Sequence, residues 1–177
     1  MRQPLLKYSV IRFRKQNSSD CMVYAFVNMF EKLLQMRGFD VKLDPEALET
    51  KIRTHLQDFE NGLEFPKVKE YLRNEGIEGY KMESCMFRKV DPDIIYSELQ
   101  KAPLIAIMKT FFKTRERVDS HGFYKLGIQE RKEKHLVCLW GYDGGFLVLD
   151  SNYDYLTKVK DEHLTTFFSS IYKVTLK

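Results

Sequence analysis

The chain has 177 residues, 44% of them apolar and 14% aromatic, with a formal net charge of +4. That length suits one domain, expected to span residues 1–177, and so rich an apolar content excludes a disordered chain. The charge is too mild and too mixed for a dedicated nucleic-acid surface: the most basic stretch, 109–134, is broken by Glu116, Asp119, Glu130 and Glu133 and reads as a solvated loop.

In chain order, Ile11–Phe13 reads as a short strand or extended segment, and Gln16–Asp20 as a polar loop. Met22, Ala25, Phe26, Met29, Phe30, Leu33 and Leu34 then recur at helical spacing, with Gly38 as a stop. Asp44-Pro45 opens a second helix through Leu48, Ile52 and Leu56, because Asp caps it and proline suits a first turn whose N–H has no partner. Phe65–Asn74 forms a third, ending near Gly76. Asp91-Pro92 repeats the capping device, with Ile94, Ile95 and Leu99 expected on the buried face and Pro103 beyond the end. From there the pattern turns to strands: Leu104–Met108, Leu136–Trp140, Phe146–Leu149 after the Asp143-Gly144-Gly145 turn, and Tyr172–Leu176. Helices first and strands second, without βαβ alternation, imply an α+β fold. A mainly helical lobe of about 1–100 and a mainly β lobe of about 101–177 would meet at a cleft.

Three cysteines, Cys21, Cys85 and Cys138, are too few and too irregularly spaced for a disulfide framework or a structural zinc site. No apolar run is long enough to cross a bilayer, and Met1–Val10 lacks a signal core. A cytoplasmic protein without membrane contact is the expectation.

Cys21 stands at the first turn of the most apolar helix. A thiolate is the reactive form of cysteine, and a helix N-terminus or a neighbouring imidazolium lowers a thiol pKa from ~8.5 toward ~3.5–7.5. Of the four histidines, His55 lies on a charged helix, His121 in an Asp-Ser-His-Gly turn and His163 after two acidic residues. His135 differs, because it stands where the charged residues 131–134 enter an apolar strand. A residue there can be held rigidly and still reach a cleft. A histidine base also needs an acceptor that fixes its tautomer. The strand returning from the 143–145 turn places Phe146, Val148, Asp150 and Asn152 on one face, so that Asp150 and Asn152 can both reach the ring. Gln16, five residues before Cys21, can offer its amide to an oxyanion beside the Cys21 N–H.

These residues carry a resemblance. Gln16-Asn-Ser-Ser-Asp-Cys21-Met-Val-Tyr-Ala-Phe26 resembles the Gln…Cys…Ala-Phe signature of papain-like cysteine peptidases. His135-Leu-Val-Cys-Leu-Trp-Gly-Tyr142 resembles their His-Ala-Val…Val-Gly-Tyr segment, and Phe146-Leu-Val-Leu-Asp150-Ser151 the strand bearing their Asn-Ser. Asn61-Gly62 to Ile77 and Ala102–Ile107 are weaker echoes, so the resemblance runs from about Tyr8 to Lys177. Departures exist: the Cys-Gly-Ser-Cys-Trp motif is absent, Asn152 replaces a Trp, and Asp20-Cys21 is closer to the bacteriocin-processing peptidases, which use Asp as third member. No inhibitory pro-segment is expected.

The resemblance implies a two-lobed papain-like fold and an acyl-enzyme on Cys21. Gln16 would line the oxyanion hole, His135 would be base and acid, and Asp150 would orient it, with Asn152 as fallback. No metal or organic cofactor is required. The implied activity is hydrolysis of a peptide or isopeptide bond in a protein or peptide substrate. An acyltransferase or amidase on the same three residues, or a catalytically silent binding module, is the alternative.

Overall fold

The computed structural model describes residues 2–5, 21–59, 62–109, 118–126 and 135–177. The segments expected at Ile11–Phe13 and Gln16–Asp20 lie outside the described residues.

The first helix, α1 (Cys21–Gln35), is apolar nearly all round and accordingly buried nearly all round. Its three buried polar residues sit where partners exist. Glu31 accepts the Leu43 N–H at 2.7 Å, and the Lys32 ammonium donates to the Trp140 carbonyl while lying 4.0 Å over the Trp140 ring. Asn28 is buried beside them. Helices α2 (Pro45–Leu56) and α4 (Pro92–Leu99) start as their Asp-Pro pairs dictate. Asp44 accepts from the N–H groups of Glu46 and Ala47, and Asp91 from those of Asp93 and Ile94. Between them lie α3 (Phe65–Asn74) and the strand β1 (Met82–Met86).

The remaining strands are β2 (Leu104–Met108), β3 (His135–Tyr142), β4 (Phe146–Leu149), β5 (Thr157–Val159) and β6 (Phe168–Leu176). A 3-10 turn at Asp161–His163 and the one-turn helix α5 (Leu164–Phe167) precede β6. The six strands form one antiparallel sheet in the order β1-β6-β2-β3-β4-β5. Helix α1 packs with Ile105, Ile107, Leu136, Cys138 and Trp140 on one face, together with residues of α2 and α3. Ile95 and Leu99 of α4 and Leu164 and Phe167 of α5 pack with Leu104, Ala106, Val137 and Leu139 on the other. Covering both faces is why β2 and β3 read as unbroken apolar runs rather than alternating ones. At the amino end, Leu5 donates to the Tyr142 carbonyl at 2.7 Å, and Arg2 pairs with Asp93 at 2.6 Å and with Asp161.

The α+β architecture matches the expectation from sequence, with four local corrections. Ile94, expected on the buried face of α4, is 46% exposed; Ile95 and Leu99 alone carry that face inward. Strand β1 adds sheet to the half expected to be helical, and α5 adds helix to the other. The last strand starts at Phe168, four residues before Tyr172. Finally, within 109–134, Val118–Tyr124 is docked on the protein instead of solvated: Tyr124 donates its N–H to the Lys158 carbonyl, and Lys158 returns one to Gly122. None of the helices among the described residues is long and apolar enough to cross a membrane. All three cysteines are free.

Because Phe30 is fully buried on α1, Phe30→Ala should cost about 3–5 kcal/mol, the usual toll of emptying an aromatic core site. Urea unfolding measures it; a loss below about 1 kcal/mol would mean that α1 is not packed as described.

Candidate active site

Helix α1 delivers Cys21 as its first residue, at the end where unpaired backbone N–H groups favour negative charge. The Leu136 backbone N–H donates to Cys21 Sγ at 3.4 Å, so the thiol is tied directly to the start of β3. His135, the preceding residue, is 1% exposed. Its Nε2 lies 2.6 Å from Asp150 Oδ1. With Nε2 engaged by the carboxylate, Nδ1 is the nitrogen left to face the Cys21 thiol, whose proximity also raises the basicity of the ring.

Strand register sets this meeting. Cys138 pairs with Leu149, and a bulge between Leu139 and Gly141 shifts the pairing by one residue relative to Tyr142 and Phe146. Extended past the end of β4, the Cys138–Leu149 register brings Asn152 opposite His135. The chain then turns: Asp150 Oδ1 accepts the Asn152 N–H at 2.9 Å, and the Asp150 carbonyl accepts the Tyr153 N–H at 3.0 Å. The two candidate acceptors thus share one short turn beneath the ring. Asn152 Nδ2 is 3.2 Å from Nε2. An amide nitrogen is a donor and offers Nε2–H nothing, whereas the carboxylate accepts at the shorter distance. Asp150 is therefore the closer acceptor at Nε2.

Electrostatics follow from burial. Desolvation alone would push the His135 pKa down. The Asp150 charge, its hydrogen bond and the Cys21 thiol together overcome that and raise it to about 10. For Asp150, burial pushes upward, but the His135 charge and the donors around the carboxylate leave its pKa below the usual value. These two effects have opposite pH windows. The His135 contribution to stability is complete below its unfolded pKa of ~6.5 and is lost as pH rises through about 10. The Asp150 contribution is present above its unfolded pKa of ~3.9 and is lost as pH falls through its depressed folded value.

The second Asp150 oxygen is taken too. The Tyr124 hydroxyl donates to Oδ2 at 2.6 Å and accepts from Thr157 Oγ1 at 2.9 Å. Sequence reading missed both residues. Tyr124 falls in a charged stretch, and Thr157 in a strand too short to show a period. The backbone donor at Leu136 has no sequence signal at all. Gln16 lies outside the described residues. The other histidines stand apart: His55 and His121 are exposed, the former edge-on to Tyr71, and His163 is half-buried in the 3-10 turn. Cys85 is exposed, while burial pushes the Cys138 thiol up to about 12.

No protein-family model and no curated protein matches the chain. Solved structures do. The Carica candamarcensis cysteine protease CMS1MS2, determined in complex with E-64, is 13% identical, with a TM-score of 0.66 over 94% of this chain and 93% of that one. The proform of the ragweed pollen allergen Amb a 11, a cysteine protease, is 13% identical with a TM-score of 0.68; the match covers 95% of this chain but 62% of that one. A C39-like peptidase from Bacillus anthracis is 16% identical, with a TM-score of 0.55 over 98% of both chains. The fold is papain-like.

The balance at His135 can be reversed. In Asp150→Asn the carboxylate charge is gone and burial dominates, so the His135 pKa should drop from about 10 to below its ordinary value. Imidazole NMR titration reads it; a His135 pKa unmoved by the substitution would show that Asp150 is not its partner.

Proposed function

On this papain-like fold, we propose that the chain is a cysteine peptidase in which Cys21, His135 and Asp150 act as nucleophile, base and orienting carboxylate. The observation that carries the reading is the buried 2.6 Å contact between His135 Nε2 and Asp150, which turns the other ring nitrogen toward a thiol at a helix start. The three cysteine peptidases or peptidase-like proteins of similar fold lend it support.

In the proposed reaction the resting site is a Cys21 thiolate beside a His135 imidazolium, in keeping with a His135 pKa raised to about 10, and the sulfur attacks the carbonyl carbon of a peptide or isopeptide bond. The Leu136 N–H beside Sγ and the N-terminus of α1 stabilise negative charge on sulfur until the attack. The tetrahedral oxyanion is held by the Cys21 backbone N–H, with the Gln16 amide as the second donor the sequence motif supplies. His135 gives its proton to the leaving nitrogen, the C–N bond breaks, and an acyl group remains on sulfur. His135 then takes a proton from water, whose attack releases the acid and restores the thiolate. Asp150 keeps Nε2 protonated throughout, so that Nδ1 is the nitrogen that exchanges the proton. The substrate is a protein or peptide.

An epoxide probe followed by mapping of the labelled residue tests this. Labelling should fall on Cys21 and be lost in His135→Ala. Preferential labelling of exposed Cys85, or undiminished labelling in His135→Ala, would overturn the assignment.

A further inference from the structure

Resting on the reading above, we propose that Tyr124, seated by Thr157, is a positioning residue that holds the second oxygen of Asp150 and thereby fixes the carboxylate that orients His135. The side chain of Asp150 is 1% exposed, so every lone pair it fails to share with a donor is costly. Oδ1 serves His135 and the Asn152 N–H. Oδ2 receives the Tyr124 hydroxyl. A carboxylate only accepts, so the Tyr124 proton points at Oδ2 and its oxygen is free to accept from Thr157. The Thr157 hydroxyl also lies 3.3 Å from the Val148 carbonyl, but its single proton suits the closer phenol at 2.9 Å. The direction is therefore Thr157 to Tyr124 to Asp150, and each bond polarises the next.

The seat for Tyr124 is built from outside the catalytic residues. Asp119 Oδ1 accepts the N–H groups of His121 at 2.8 Å and Phe123 at 2.9 Å, which shapes the turn before Tyr124. Tyr124 and Lys158 then bond backbone to backbone along β5. The Phe123 ring lies against Gly145, where an added Cβ would come within 2.7 Å of it. The Tyr124 ring itself packs on Phe167 at 5.7 Å. With both oxygens held, the carboxylate cannot rotate away from Nε2, and the phenol stabilises its ionised form, so the shared proton stays with His135.

Tyr124→Phe keeps the ring and removes the donor; Thr157→Val keeps the shape and removes the donor to Tyr124. Carbon NMR of the Asp150 carboxyl, together with kcat and KM against pH, tests the proposal. In Tyr124→Phe the Asp150 titration should move up and the acid limb of kcat with it. kcat should fall roughly 10- to 100-fold, as expected for a lost hydrogen bond to a charged group, with KM nearly unchanged. Thr157→Val should shift both in the same direction by less, and it carries the test alone if Tyr124→Phe does not fold. An Asp150 titration unmoved in a folded variant, or a fall in activity without movement of the acid limb, overturns the proposal. The carboxyl titration needs no turnover. If it moves while Cys21 in the unaltered protein takes no epoxide, the positioning contact stands and the peptidase reading alone fails.

Discussion

A carboxylate and an imidazole, both almost wholly out of water, sit 2.6 Å apart where β3 begins. Neither is tolerable there alone. A buried ion without partners costs several kcal/mol, and a buried pair is stable only when its remaining lone pairs and protons are also satisfied. That requirement reaches far along the chain. It calls on the Asn152 N–H from the turn after β4, and on the Tyr124 hydroxyl from a segment before β3. It also needs a β3–β4 register that ends with His135 above that turn. A one-residue slip in that register would turn His135 to the opposite face of the sheet.

The proposed nucleophile is positioned by a different kind of force. Cys21 is placed by α1, whose apolar surface is wedged against β2 and β3 and the neighbouring helices. Among the described residues, the Leu136 N–H tethers its sulfur directly. Hydrophobic packing thus sets the position of sulfur, and hydrogen bonding sets the position of the imidazole. The two meet where the N-terminus of α1 abuts the first residues of β3. Because packing is non-directional and hydrogen bonds are not, the imidazole side of the site has the more stringent geometry.

What could be read from the amino-acid order follows the same division. Features made by packing or by a local cap were legible. Examples are the period of α1, the two Asp-Pro helix starts, and the apolar runs of β2 and β3, which are continuous because helices cover both faces. His135 stood out by its place at a strand mouth, and Asp150 and Asn152 by hairpin alternation, although a turn rather than strand parity brings both to the ring. Features made by long-range pairing were not legible. Strand β1 buries only Met82 and is held by β6, more than eighty residues away, so its own residues carry no period. Tyr124 is hidden in a stretch dominated by charge, and only the docking of that stretch on β5 reveals it. Ile94 shows the limit of a three-residue apolar cluster on a short helix: two of the three side chains suffice to fill the face.

The central claim is that Cys21, activated by a carboxylate-held imidazole, forms a covalent acyl intermediate. Intact-protein mass spectrometry after rapid mixing with an activated peptide ester tests it most directly. The account predicts a single acyl group, located on Cys21, that is lost with time as the thiol is regenerated, and no such species in His135→Ala. An unmodified protein at every time point, or a stable adduct on Cys85, would contradict it.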